Sequence, residues 1–164
     1  MKFGQKSHTI YEATKKLEHY CAYQERCHKE VVSKLKEMRM IPIAIDQIVT
    51  HLIQENYLNE ERFARAFARG KFRIKKWGRN RLVSELKQRG ITKYNIKAAL
   101  SEIENADYLE TFDALAEKRI SEIKEAHPQK KKKKLVDYLL YRGWESSLVY
   151  EKAHDLINNK PSSN

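Results

Sequence analysis

Nine of the twenty residues from Arg62 to Arg81 are basic and none is acidic. Between them stand Phe63, Ala64, Ala66, Phe67, Ala68, Phe72 and Ile74. From Lys71 to Lys97, ten cations face the single acid Glu85. A further cluster is Lys130-Lys131-Lys132-Lys133-Lys134. Side chains of this kind attract a polyanion or an acidic protein groove. The soft ligands are Cys21 and Cys27, with His19 and His28 beside them. Their spacing fits no C-x2-C zinc pattern, so they read as free thiols, buried or half-buried. There is no glycine-rich phosphate loop. No Ser/His/Asp or paired-carboxylate arrangement stands out from helix-surface background. The expectation is a binding module, not an enzyme, with no metal and no cofactor. An enzyme acting on nucleic acid is disfavoured by the lack of a carboxylate cluster for metal ions.

The elements that must carry these cations are helical. Only five glycines and three prolines occur in 164 residues, and apolar residues recur at three- and four-residue intervals almost throughout, which predicts an all-α chain. The pattern also repeats. Leu82-Val83-x-x-Leu86-x-x-Arg89-Gly90-Ile91 returns 53 positions later as Leu135-Val136-x-x-Leu139-x-x-Arg142-Gly143-Trp144. A weaker copy lies 51 positions earlier, Val31-Val32-x-x-Leu35-x-x-Met38-Arg39-Met40. Gly90 and Gly143 suit the left-handed position after a helix. Ile91 and Trp144 are placed to staple onto Ile96 and Val149 of the next helix. Pro42 and Pro128 fall in first turns, where proline is tolerated. A further helix precedes each copy, over 9–22, 59–76 and 105–125. The prediction is three tandem three-helix repeats, at 9–57, 58–104 and 105–158, stacked into an elongated curved body. The polar residues 159–164 read as a disordered tail.

In the helix after the N-cap Asn59, Leu58 and Phe63 are placed as a hydrophobic staple. Helical spacing gathers Phe63, Phe67, Gly70 and Ile74 on one buried face. It lines up Arg62, Arg65, Arg69, Arg73 and Lys76 on another. Solvated faces usually mix signs, because like charges at i,i+4 destabilise a helix. Arg65-Arg69-Arg73 is a like-charge series with no acid inside it, so a partner surface is favoured over a plain solvated face. In the repeat register Lys132 and Lys134 align with Arg79 and Arg81, at the start of the middle helix. A disordered basic linker is the alternative for the lysine run, and a nuclear-localisation signal a weaker one. The net charge of +11 points the same way. Apolar residues make up 41% of the chain, enough for a folded protein despite 34% charged ones. No segment approaches the roughly 18 apolar residues of a membrane span, and the N-terminus has no secretory pattern, so an intracellular protein is expected.

Leu58-Asn59-Glu60-Glu61-Arg62-Phe63-Ala64, Gly78-Arg79-Asn80-Arg81-Leu82 and Glu85-Leu86-Lys87-Gln88-Arg89-Gly90-Ile91 resemble the bacterial RecX family of regulatory proteins. Glu25-Arg26-Cys27-His28-Lys29-Glu30 is similar to that family's Arg-Ser-x-x-Glu-Leu turn, with Cys27 for the serine and Val31 for the leucine. The resemblance runs from about residue 10 to 157, and is most specific in the middle repeat. The lysine run lies outside it. The resemblance implies tandem three-helix repeats and a cytoplasmic negative regulator that binds the RecA recombinase and its filament on single-stranded DNA. Filament extension and the recombinase's activities would be restrained, damping recombination and the SOS response. Single- and double-stranded DNA are the further partners expected, and the protein is expected to be a monomer without membrane contact. The candidate partner- or DNA-binding residues are Arg62, Arg65, Arg69, Arg73, Lys75, Lys76, Arg79, Arg81, Lys87, Arg89, Lys132 and Lys134.

The rival reading is a sequence-specific DNA-binding regulator. Leu86 to Thr92 would be the turn of a helix-turn-helix, and the helix over 93–103 would offer Lys93, Tyr94, Asn95 and Lys97 to bases.

Overall fold

A computed structural model describes residues 7–158, and among them every regular element is helical. The expected tail, 159–164, lies outside the described residues. The helices come in three groups of three. The first group is α1 (Ile10–Tyr23), α2 (His28–Glu37) and α3 (Pro42–Gln54). The second is α4 (Glu60–Gly70), running into a π turn (Lys71–Lys75), then α5 (Arg79–Gln88) and α6 (Lys93–Leu100). The third is α7 (Asn105–Glu122), α8 (Pro128–Tyr141) and α9 (Ser146–Asn158).

Local chemistry sets the ends of these helices. Thr9, Asn59 and Thr92 cap α1, α4 and α6, each accepting the N–H three residues on. Pro42 and Pro128 open α3 and α8. The three middle helices close in the same way. Met40, Ile91 and Trp144 each donate their N–H to the carbonyl five residues back, on Leu35, Leu86 and Leu139. Between helix and donor stands a residue at positive φ: Arg39 at 62°, Gly90 at 74°, Gly143 at 91°. This is one Schellman closure made three times, so the copied sequence is a copied fold.

Packing is less even than the repeat. Ala13, Leu17, Val31, Leu35, Ile48 and Leu52 centre a core belonging to the first group. The second and third groups share one continuous core, from Phe63 and Leu82 through Tyr108 to Trp144 and Ala153. Leu58 joins the first core and Phe63 the second, so the expected staple is divided between them. The staples Ile91–Ile96 and Trp144–Val149 fall within the second core.

The buried face of α4 differs from the sequence expectation. Phe63, Ala64, Ala68 and Phe72 are buried, whereas Ile74 is 77% exposed. The cause is the π turn. Lys76 shares its N–H between the Lys71 and Phe72 carbonyls, five and four residues back, and Trp77 reaches back six to Lys71, so the residues after Lys71 fall behind α-helical register. Phe72 takes the core position and Ile74 swings out. Lys76 then ends the element at φ 57°.

Cys21 and Cys27 are both buried free thiols, Cys21 in the first core and Cys27 in the second. Burial pushes the Cys21 thiol up to about 11. Among the described residues no three His, Cys, Asp or Glu side chains gather as metal ligands, and no helix is long and apolar enough to cross a membrane.

Candidate partner interface

The cations of the opening run divide by what holds them. Arg62 turns back to the first group: its Nε donates to Glu25 at 2.5 Å, and its other nitrogens reach Asn56 and the Tyr57 carbonyl. Arg65 and Arg69 converge on Glu102, at 3.0 and 3.2 Å, and Arg65 also meets Glu61. The charge series expected to stand without acids is therefore relieved, by a carboxylate 37 residues away from Arg65. Arg65 first, then Arg69, holds the Glu102 carboxyl below its ordinary range.

Arg79 and Arg81 begin α5 at the junction with the third group. The Arg79 guanidinium lies 3.7 Å from the Tyr108 ring centroid and 3.6 Å from Glu145. Its backbone N–H donates to the Tyr108 hydroxyl, which in turn donates to Glu145. Arg81 sits between the rings of Trp77 and Tyr141, at 4.3 and 4.8 Å, and donates to the Tyr141 carbonyl. Arg89 lies over Phe67 and pairs with Glu85 at 2.8 Å. These arginines join elements as well as carrying charge.

At the same junction Gly78 and Gly143 meet backbone to backbone. Gly78 N–H donates to Arg142, and Asn80 N–H donates to Gly143. A Cβ built on Gly78 would stand 2.4 Å from the Gly143 oxygen, and one on Gly143 2.4 Å from the Arg81 nitrogen. Only glycine permits this approach.

Arg73, Lys75, Lys76 and Lys87 are exposed, and with Lys132 they make no ion pair among the described residues. Lys134 pairs with Glu125 at 3.6 Å. The lysine run lies in α8, which excludes the linker alternative. Lys132 and Lys134 do not stand at the helix start as Arg79 does, because α8 begins four residues before Lys132, at Pro128. Arg73, Lys75 and Lys76 form a nearly consecutive free patch within the opening run, on the π turn and its exit. Arg142 donates to the Lys75 carbonyl and Trp144 Nε1 to the Lys76 carbonyl at 3.1 Å, so the third group holds this segment in place.

Three residues of this surface fall outside the set that sequence reasoning picks out: Ile74, Tyr141 and Arg142. Helical spacing puts Ile74 in the core, and nothing in the composition marks a π turn. Tyr141, 76% exposed, directly precedes the repeated Arg-Gly pair, where the other copies have Gln88 and Glu37, so the repeat gives no signal for it. As for helix-turn-helix readout, α6 ends at Leu100, packs on α4, and leaves Lys93, Tyr94 and Lys97 exposed. The Asn95 amide is taken up by Glu60.

Two family models, described as the second and third three-helix domains of RecX, match residues 59–100 and 106–152. A regulatory protein RecX from Yersinia enterocolitica is 33% identical over 116 residues, covering 71% of this chain and 68% of the relative. The chain belongs to the RecX family. Serratia proteamaculans RecX, also named a regulatory protein, is 34% identical over 110 residues, which are 67% of this chain and 64% of that protein. For Lactobacillus johnsonii RecX the shared stretch is 34% of that protein, so the chain spans less than two thirds of either relative. The crystal structure of RecX from Lactobacillus salivarius has the same fold, with a TM-score of 0.75 at 23% identity over 90% of this chain and 96% of that one. In the RecX pattern found here, Gly78-Arg79-Asn80-Arg81 is thus the segment that locks the second three-helix group to the third.

Proposed function

We propose that this RecX-family protein is a non-enzymatic negative regulator of the RecA recombinase, acting in the cytoplasm as a monomer. It binds the RecA filament on single-stranded DNA, restrains its extension, and so damps recombination and the SOS response. Its repeats run over 9–57, 58–104 and 105–158. Family membership supports the partner. The observation that carries the reading to a surface is the cation patch of Arg73, Lys75 and Lys76, without ion pairs among the described residues, fixed by the third group and open to solvent.

The binding surface centres on these three, with Lys87 and Lys132 as outlying cations. Arg62, Arg65, Arg69, Arg79, Arg81, Arg89 and Lys134 contribute their field to the same surface while also holding the fold. The test is RecA-driven ATP hydrolysis and strand exchange with added purified protein. The parent should slow both at substoichiometric or stoichiometric levels. A variant with Arg73, Lys75 and Lys76 all changed to glutamate should fold and lose the inhibition. Where these cations neutralise phosphates, its log affinity should depend on log salt less steeply, by about 0.7 to 0.9 for each phosphate left unneutralised. A parent that leaves RecA unaffected at saturating concentration would overturn the proposal.

A further inference from the structure

We infer that the π turn is a polypeptide-docking wedge: Ile74, ringed by Arg73, Lys75 and Lys76, enters an apolar pocket on an acidic protein surface. This deepens the proposed function, on which it rests for the identity of the partner.

Four consecutive exposed residues hold one aliphatic side chain among three cations. Ile74 is 77% exposed, although a continued α-helix would have turned it toward the core side of α4. The chain instead widens into a π turn and places Lys76, which has a Cβ, at φ 57°. Both features cost free energy relative to regular helix. The Lys75 and Lys76 carbonyls are held by Arg142 and by the Trp144 indole, so the wedge is fixed before any partner arrives. A preformed element loses little freedom on binding.

The chemistry favours protein over nucleic acid. Phosphate gives an isoleucine side chain nothing, whereas an apolar anchor inside a charged rim is how protein interfaces concentrate affinity. The adjoining groove, about 510 Å³ between the π turn and α7, has Phe72 and Leu115 among its lining. Arg73, Lys76 and Lys118 line it together with Asp107 and Glu110. Asp107 and Glu110 accept hydrogen bonds that a polypeptide N–H donates and a phosphate backbone, which has no donor, does not. The cations of the rim select a partner whose own surface is acidic.

The experiment measures association and dissociation rates of the full chain with RecA filaments on single-stranded DNA, and separately with the free DNA. Ile74→Ala removes only exposed atoms, and an unchanged Tm verifies that the fold is intact. The expected result is filament dissociation at least about tenfold faster, with association and its salt dependence little changed. Binding to free DNA should stay as in the parent. Arg73→Ala with Lys75→Ala should instead slow association and flatten its salt dependence. Equal weakening on filament and free DNA would make Ile74 a wedge between bases and overturn the inference. Parent-like filament binding by the Ile74 variant would overturn it too, leaving RecA regulation standing. A parent that binds no filament would remove the proposed function itself, and the inference with it.

Discussion

Glu102 receives both Arg65 and Arg69, so two side chains of the basic run are held by one carboxylate in the loop after α6. Helical spacing alone treats Arg65, Arg69 and Arg73 as equivalent, and their reversal as harmless to the fold. The ion pairs separate them. Changing Arg65 and Arg69 to glutamate sets four acids against one another, with Glu61 and Glu102, and should lower the Tm by a measurable amount. Arg73→Glu should leave the Tm as in the parent, because Arg73 is exposed and has no such partner among the described residues. Adding Glu102→Arg to the double variant should restore the Tm, and thermal melts of the four proteins check the set. The pH dependence follows from the same cluster. Glu102 has a folded-state pKa below its ordinary value, with Arg65 the larger cause. Its contribution is therefore present above the ordinary glutamate pKa and is lost as pH falls through the folded one. Glu102→Gln should flatten the acid limb of a Tm-against-pH profile and leave the alkaline limb unchanged.

At the scale of single elements, the three Schellman closures show where the repeat is imperfect. Gly90 and Gly143 occupy the left-handed position in two copies, and Arg39 occupies it at φ 62° in the first. A residue with a Cβ is strained there by roughly 1–2 kcal/mol, and glycine gives back part of that through its freer unfolded chain. Arg39→Gly should therefore stabilise the protein by about 1 kcal/mol, read as a higher midpoint in a denaturant titration with an unchanged slope. A lower midpoint would mean that the Arg39 side chain makes a stabilising interaction larger than the backbone strain. These closures are legible in the sequence because they depend on residues three to five apart, within reach of a pattern. The caps Asn59 and Thr9 and the prolines of α3 and α8 are legible for the same reason. The π turn is not, since it widens the helix without a breaker residue at Lys71 or Phe72 and reverses the expected place of Ile74. The partners of the arginines are hidden as well. Glu25 stands 37 residues before Arg62 and Glu102 stands 37 after Arg65, distances over which side-chain type says nothing about proximity. The free patch emerges only once those pairs are removed from the basic run.

Across the whole molecule, the three groups are alike in sequence and unlike in attachment. The second and third share an apolar core, and their backbones touch at Gly78 and Gly143. Gly78→Ala should cost about 1–3 kcal/mol through overpacking at that junction. Gly143→Ala should cost more, because its φ of 91° adds strain to the clash with Arg81. Gly90→Ala is the control, with strain but only the flexible end of Lys29 nearby, at 3.4 Å. Melts ranked in any other order would remove the backbone junction as the lock between the groups. The first group has its own core and meets the second through polar reach: Lys29 donating to the Gln88 carbonyl at 2.7 Å, and Arg62 to Glu25 at 2.5 Å. Its apolar share of the common core is Cys27, at the start of α2. Apolar burial couples elements strongly, while exposed ion pairs contribute little, so α1 to α3 should open before the rest. Native-state hydrogen exchange should show amides of α1 to α3 exchanging at a lower opening free energy than those of α5, α7 and α8. Arg62→Glu should lower the protection of the first group further and leave the second and third as they were, and Glu25→Arg in the same chain should return it. Uniform protection from α1 to α9, unmoved by Arg62→Glu, would show that the molecule opens as one unit and that the second core carries the first.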